Sequence, residues 1–256
     1  MSNGFEKVFS LEGELAVITG GGSGLGFAMA KCMVQAGARV VLIGQSEQKL
    51  IDACAELGEQ AGYAIHNVAD TEKAPQVVDE IVKKYGDITI LCNNAGNHCK
   101  KPIEEMTIED FTGVLDVHVV GSFAMTKAVV PHMRRIGKGS ILFTASMTSF
   151  IGMPAVMGYS AAKSAFLGMV RSLATEVSRD GIRVNAIAPG WIDTPMFHKA
   201  VDNDPARRDK ILGRTPQNSF GDPTDIGWAS VYLCSPAAKF VNGVALPVDG
   251  GALIGF

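Results

Sequence analysis

The chain predicts an α/β fold: one domain, with a doubly wound parallel sheet of about seven strands and helices on both faces. Three observations carry this. Short β-branched runs alternate with longer amphipathic segments from end to end. Several of these runs are apolar on both sides, as strands sandwiched between two helix layers must be. The connections are short, with no linker, repeat or low-complexity stretch, which suits right-handed crossovers between parallel neighbours. A chain of 256 residues, 47% hydrophobic and 19% charged, can bury a large core as a single domain spanning 1–256.

The predicted strands are Leu15–Thr19, Arg39–Ile43, Tyr63–His66, Ile88–Cys92, Ser140–Ala145, Arg183–Ile187 and Ala245–Val248. Helical patterns fill the intervals 24–36, 46–58, 71–85, 107–135, 158–179 and 223–234. Only 190–216, rich in Pro, Asp and Arg, breaks the rhythm. It follows a strand end, the position of a lid over a site.

Composition excludes several classes. Net charge is −3 and basic residues cluster no further than pairs such as Arg134-Arg135, so neither nucleic acid nor an anionic membrane is expected as a partner. Apolar runs are broken by Gly or charge before membrane-spanning length. The N-terminus lacks a basic start followed by an apolar stretch, and the five cysteines form no C-x-x-C pair. A reduced, cytoplasmic setting is the expectation. No His/Cys/Asp cluster has ligand spacing, so no metal is predicted.

Two patterns carry chemistry. The first strand runs into Thr19-Gly20-Gly21-Gly22-Ser23-Gly24-Leu25-Gly26, which opens the first helix. Glycines let the backbone turn tightly against a pyrophosphate, and the helix N-terminus presents free N–H groups, so this turn is read as a dinucleotide cradle. Further on, Tyr159 and Lys163 lie four apart in Y-S-A-A-K, on one face of a helix, thirteen residues after Ser146 at a strand end. A tyrosine hydroxyl titrates near ~10 and is a poor proton donor or acceptor at neutral pH. An ammonium beside it favours the phenolate, and bringing it to working pH takes roughly 4 kcal/mol. Ser146 can hold a substrate oxygen against that tyrosine. The pair alone is weak, since an exposed tyrosine beside a solvated lysine is the ordinary case; its company in the chain gives it weight.

Together these residues resemble the short-chain dehydrogenase/reductase family, a group with a Rossmann-like sheet. The cradle has that family's G-x-x-x-G-x-G spacing, Asn93-Asn94-Ala95-Gly96 follows the fourth strand, and Ser146, Tyr159 and Lys163 keep the family's intervals. Pro189-Gly190-Trp191-Ile192-Asp193-Thr194 matches P-G-x-x-x-T, and Asp249-Gly250-Gly251 matches D-G-G, so the resemblance covers nearly the whole chain. It implies an NAD(P)-dependent oxidoreductase that interconverts a secondary alcohol and a ketone. Gly20, Ser23, Gly24, Leu25 and Gly26 would line the phosphates and ribose, and Asn94, Ala95 and Gly96 would pack beside the ribose. Val68 would belong to the same cofactor site. Ile192 and Thr194 would fix the nicotinamide carboxamide, with Pro189 and Gly190 also in the cofactor site. Lys163 would bind the nicotinamide ribose, and Tyr159 would be general acid in reduction and general base in oxidation.

Three positions depart from the family. His118 stands where Asn usually completes the catalytic set; there the residue's main-chain carbonyl holds a relay water, which any residue can supply. The imidazole can also join the relay, or simply hold a helix kink. After the second strand come Gln45 and Ser46, with no acid to bind a ribose 2′-hydroxyl and no arginine for a 2′-phosphate. The balance tilts to NADP(H), with NAD(H) also open. Asn67 replaces an Asp that accepts from the adenine amino group, and an amide oxygen accepts the same bond.

For the substrate, Met147, Phe150, Met153, Trp191, Met196 and Phe197 are candidate apolar walls, and His98, Lys100, Lys101, Arg207 and Arg214 are candidate anion contacts. For each, ordinary packing or a solvated charge is the competing reading. Gly213-Arg214-Thr215-Pro216 followed by Phe220-Gly221-Asp222-Pro223 resembles the gluconate 5-dehydrogenase branch, which acts on sugar acids and polyols. The 3-oxoacyl-thioester reductases share most of these motifs, and a non-catalytic dinucleotide sensor is the alternative of another class. Relatives of this kind are usually tetramers, and the apolar ending Ala252-Leu253-Ile254-Gly255-Phe256 suits burial in a homotetramer.

Overall fold

The structure, a computed structural model, describes residues 4–194, 197 and 204–255. Seven strands form one parallel sheet in the order β3-β2-β1-β4-β5-β6-β7. They are β1 Leu15–Thr19, β2 Arg39–Gly44, β3 Ala61–Ile65, β4 Ile90–Asn93, β5 Gly139–Thr144, β6 Ile182–Pro189 and β7 Ala245–Val248. The order reverses between β1 and β4, so the connections leaving these two strands diverge and open a crevice at their carboxyl ends.

The helices are α1 Gly4–Phe9, α2 Gly24–Gln35, α3 Glu47–Leu57, α4 Ala74–Tyr85, α5 Ile108–Leu115, α6 Gly121–Ile136, α7 Met157–Val177, α8 Pro205–Arg214 and α9 Pro223–Cys234. Strand residues alternate between two cores, as the period of two requires. Leu15 and Val17 join Val78, Ile81, Met125, Val129, Met133, Phe166 and Val170 of α4, α6 and α7 on one face. Ala16 and Ile18 join Met29, Met33, Leu50, Ile226 and Leu233 of α2, α3 and α9 on the other. This double burial explains why the strands read as continuous apolar runs. The strands β1, β4 and β5 are buried at every residue.

Two elements fall outside the sequence-based expectations. Helix α1 precedes the first strand, and α8 lies inside the expected lid. The long helix expected over 107–135 is not uniform: α5 and α6 are joined by a π-turn at Asp116–Val120. The segment Ile108–Ile136 is long and apolar enough to cross a membrane by length and composition, but half of its most apolar window is buried inside this fold.

Candidate active site

The cradle forms where β1 ends. Gly20 has φ +66, and a Cβ there would stand 3.0 Å from the Ala95 Cα. Gly26, in the first turn of α2, is more constrained: a Cβ would lie 2.3 Å from the Gly20 carbonyl oxygen and 2.6 Å from the Asn94 amide nitrogen. Only glycine lets the helix approach the strand end this closely. A Cβ at Gly24 would meet nothing within 4 Å, so this side of the turn offers room. Ser23 caps α2 with extended backbone, yet its side chain makes no capping bond, and the first helical turn carries no acid. A helix N-terminus with uncapped N–H groups, no acid and open space beside Gly24 fits a bound pyrophosphate.

Asn94 ties the floor together. Its amide nitrogen donates to the Thr19 and Gly20 carbonyl oxygens, and its amide oxygen accepts from the Thr144 hydroxyl. The Thr19 hydroxyl accepts from the Asn94 and Ala95 backbone N–H groups. Thr19 and Thr144, neither singled out from sequence, thus join the ends of β1, β4 and β5. Their signal was available only as polar residues ending apolar strands.

At the other cofactor positions, Gln45 and Asn67 are exposed, and Val68 is buried in the core. The Asn67 amide oxygen already accepts from the Ala69 N–H at 3.1 Å, leaving one lone pair of two for an adenine amino group. Pro189 ends β6, and the Gly190 N–H donates to Val248. Ile192 is buried and bridges to Gly221, while the Thr194 hydroxyl accepts from the Phe197 N–H. The start of α3 also abuts the cradle: a Cβ on Gly22 would be 3.4 Å from the Lys49 Cβ. Lys49 is exposed at this rim and was not anticipated.

Ser146, Tyr159 and Lys163 converge beyond β5. Ser146 is buried, and its hydroxyl accepts from the Thr148 N–H at the start of a short 3-10 turn. Tyr159 lies in the first turn of α7. Its ring is partly exposed, but its hydroxyl is deep enough that burial pushes its pKa up, opposed by a hydrogen bond with Ser146. Lys163, one turn further, is 3% exposed. Its ammonium donates to the Thr144 carbonyl oxygen at 2.5 Å and lies 5.5 Å from the Tyr159 ring centroid. Burial lowers the Lys163 pKa to about 7. Burial thus shifts both groups toward their neutral forms. For Tyr159 the loss of water outweighs the Ser146 hydrogen bond.

His118 is the only histidine of the π-turn and is buried. The rings of His118 and His98 both meet Tyr159 edge-on, at centroid distances of 5.6 and 5.1 Å. Among the apolar candidates, Met147 is buried in the 3-10 turn, Met153 is half-buried and Phe150 exposed. Trp191 packs on Phe197, which packs on Phe220, a small cluster completed by Ile211. Two predicted anion contacts are otherwise engaged. The Lys101 ammonium is 2.6 Å from the Asp110 carboxylate, and the Arg214 guanidinium donates to the Ala252 carbonyl oxygen. Lys100 is exposed. Met196 and the Arg207 side chain lie outside the described residues.

Known proteins resemble this chain over nearly all of its length. A family model described as Enoyl-(Acyl carrier protein) reductase matches residues 20–252. A 2-dehydro-3-deoxy-D-gluconate 5-dehydrogenase of Formosa agariphila is 38% identical over 96% of this chain and 95% of its own. A 3-oxoacyl-acyl-carrier-protein reductase of Thermotoga maritima is 35% identical over 95% of this chain and 99% of its own. The crystal structure of a gluconate 5-dehydrogenase from Burkholderia cenocepacia in complex with NADP and tartrate superposes with a TM-score of 0.92, at 32% identity, covering 97% of this chain and 98% of that one. With the parallel sheet, the glycine turn and the Ser146, Tyr159 and Lys163 constellation in place, these likenesses make the chain a member of the short-chain dehydrogenase/reductase family, an oxidoreductase acting between alcohol and ketone.

Proposed function

We propose that this enzyme interconverts a secondary alcohol and a ketone on a sugar acid or related polyol, using NADP(H) in preference to NAD(H). The observation that carries the reaction is the meeting of Ser146, Tyr159 and Lys163 at the carboxyl end of β5, beside the glycine cradle of β1. The substrate class rests on two likenesses to sugar-acid dehydrogenases, one in sequence and one in a solved structure with NADP and tartrate. The bound dinucleotide supplies or accepts the hydride. In reduction, the Ser146 and Tyr159 hydroxyls hold the ketone oxygen, and Tyr159 releases its proton to that oxygen as charge develops there. The Lys163 ammonium then steadies the phenolate. In oxidation the same groups run in reverse.

The preference for NADP(H) rests on the missing acid after β2 and on Lys49, exposed near the cradle, as a cation for a 2′-phosphate. The segment 190–216 is assigned as the substrate lid, with Trp191, Phe197 and Phe220 as its apolar lining. His98 is assigned as a substrate contact because it shares the Tyr159 ring edge. We also infer a homotetramer, supported by Val120 and Phe123 exposed along one long helix and by Ile254 at 84% exposure; light scattering at micromolar concentration tests it. Free cysteines throughout support a cytoplasmic setting.

Absorbance at 340 nm with sugar acids, polyols and an acetoacetyl thioester, under NADP(H) and NAD(H) in turn, tests the reading. Turnover of a sugar acid is expected. A kcat/KM highest for the thioester would move the enzyme to the second reading, favoured by the Thermotoga maritima likeness. Dinucleotide binding with no turnover across the panel would point to a sensor.

A further inference from the structure

His118 sits where the helix spanning Ile108–Ile136 loosens into its π-turn. Its imidazole is 2% exposed and meets three groups. The ring edge lies against Tyr159, with the planes at 84°. Nε2 faces the Asn97 backbone, 2.9 Å from its carbonyl oxygen and 3.3 Å from its N–H nitrogen. Cε1 fills the space beside Gly96, where a Cβ would stand 2.2 Å from it. Asn97 directly precedes His98, whose ring also touches Tyr159 at 76°. One imidazole therefore grips the tyrosine directly and, through the chain at Asn97, anchors the loop that carries a second contact to the same ring.

Two further features argue against a histidine kept for folding alone. In either tautomer Nδ1 is buried without a partner among the described residues, which costs stability. The ring is also held neutral: burial, then the charge of Lys163, push its pKa down to about 3, against the opposing Asn97 carbonyl. A neutral ring adds no cation beside a tyrosine that must donate and recover a proton.

We propose that His118 is a positioning residue that fixes the Tyr159 ring and the Asn97–His98 loop, and that position 96 is glycine to admit its imidazole. The inference rests on Tyr159 being the proton donor of the proposed reaction. Steady-state kinetics on His118→Ala, Gly96→Ala and the double variant test it, with Tm and the dinucleotide Kd measured alongside. His118→Ala is expected to lower kcat about tenfold or more while the Kd stays within about twofold. Gly96→Ala displaces the imidazole and is expected to cost about a hundredfold in kcat. Removing the imidazole as well should return kcat to the level of His118→Ala alone.

A His118→Ala enzyme with kcat within about twofold of the native would overturn the inference. So would a loss matched by an equal loss of dinucleotide affinity, or losses that multiply in the double variant. Should His118→Ala not fold, His118→Asn carries the same measurements. Tyr159→Phe separates the two layers: retained turnover sinks the assignment of Tyr159, whereas abolished turnover beside a native-like His118→Ala sinks this inference only.

Discussion

The glycine cradle and the reaction centre lie two strands apart on the same sheet edge, and they are specified in opposite ways. The cradle is defined by side chains that are missing: Gly26 lets α2 come against Gly20 and Asn94, and Gly24 leaves room beside the helix N-terminus. The reaction centre is defined by side chains taken out of water, among them a lysine at 3% exposure and a histidine at 2%. Steric demands of the first kind are local and tolerate almost no substitution. Electrostatic demands of the second kind depend on depth, so they can be tuned by neighbours far away in sequence.

This contrast can be tested by breaking each side. The largest effect is expected from Tyr159→Phe, which removes the transferable proton and should lower kcat by about a thousandfold, with the dinucleotide Kd unchanged by fluorescence titration. Gly26→Val should do the reverse. Its side chain collides with the Gly20 carbonyl and the Asn94 amide, so dinucleotide binding is expected to fall by about a hundredfold or more and Tm to drop.

Lys163→Met should abolish most turnover while raising Tm, because burial of this ammonium is a cost to the fold. With a folded pKa near 7, below that of an unfolded lysine, the native chain binds fewer protons between those values. Its stability therefore rises with pH across that window. The gain in Tm from Lys163→Met should accordingly be greater at pH 6 than at pH 10, and an equal gain at both would show that the lysine is not desolvated.

In the native enzyme ketone reduction is expected to fall as pH rises through about 7, as Lys163 loses its proton; initial rates at saturating substrate from pH 6 to 8.5 check it. The smallest effect is at the rim. Lys49→Ala should raise KM for NADP(H) about fivefold, as the loss of one exposed ion pair allows, and leave NAD(H) untouched.

The cradle was largely legible in the sequence, and so was the sheet, because both rest on local rules: glycine spacing, and apolar runs that fill two faces. All seven strands were anticipated, with ends differing by a residue or two where pairing continues past the apolar run, as at Gly44 and Pro189. Helix α1 escaped because it is short, and α8 because its residues are polar and sit among Pro and Asp. At the reaction centre the residue types were legible but not their protonation. Lys163 reads from sequence as a cation that lowers Tyr159, whereas its surroundings strip both of water. Lys101 reads as an anion contact, yet it is paired with Asp110 across a loop. His118 was visible as a departure, but the glycine that admits it lies twenty-two residues earlier and gives no local sign.

The π-turn at Asp116–Val120 also protects the phase of the helix that follows it. A π-turn carries one residue more than regular α-helix needs, and one residue corresponds to about 100° of rotation. Val114 before it and Met125, Val129 and Met133 after it all reach the same core, so the turn absorbs its additional residue without taking either flank off the sheet. Removing that one residue would close the turn into regular α-helix with both flanks still facing the sheet, whereas removing the His118 imidazole alone leaves the turn open. A length change and a side-chain change at the same spot thus separate the architecture of this helix from the chemistry it delivers.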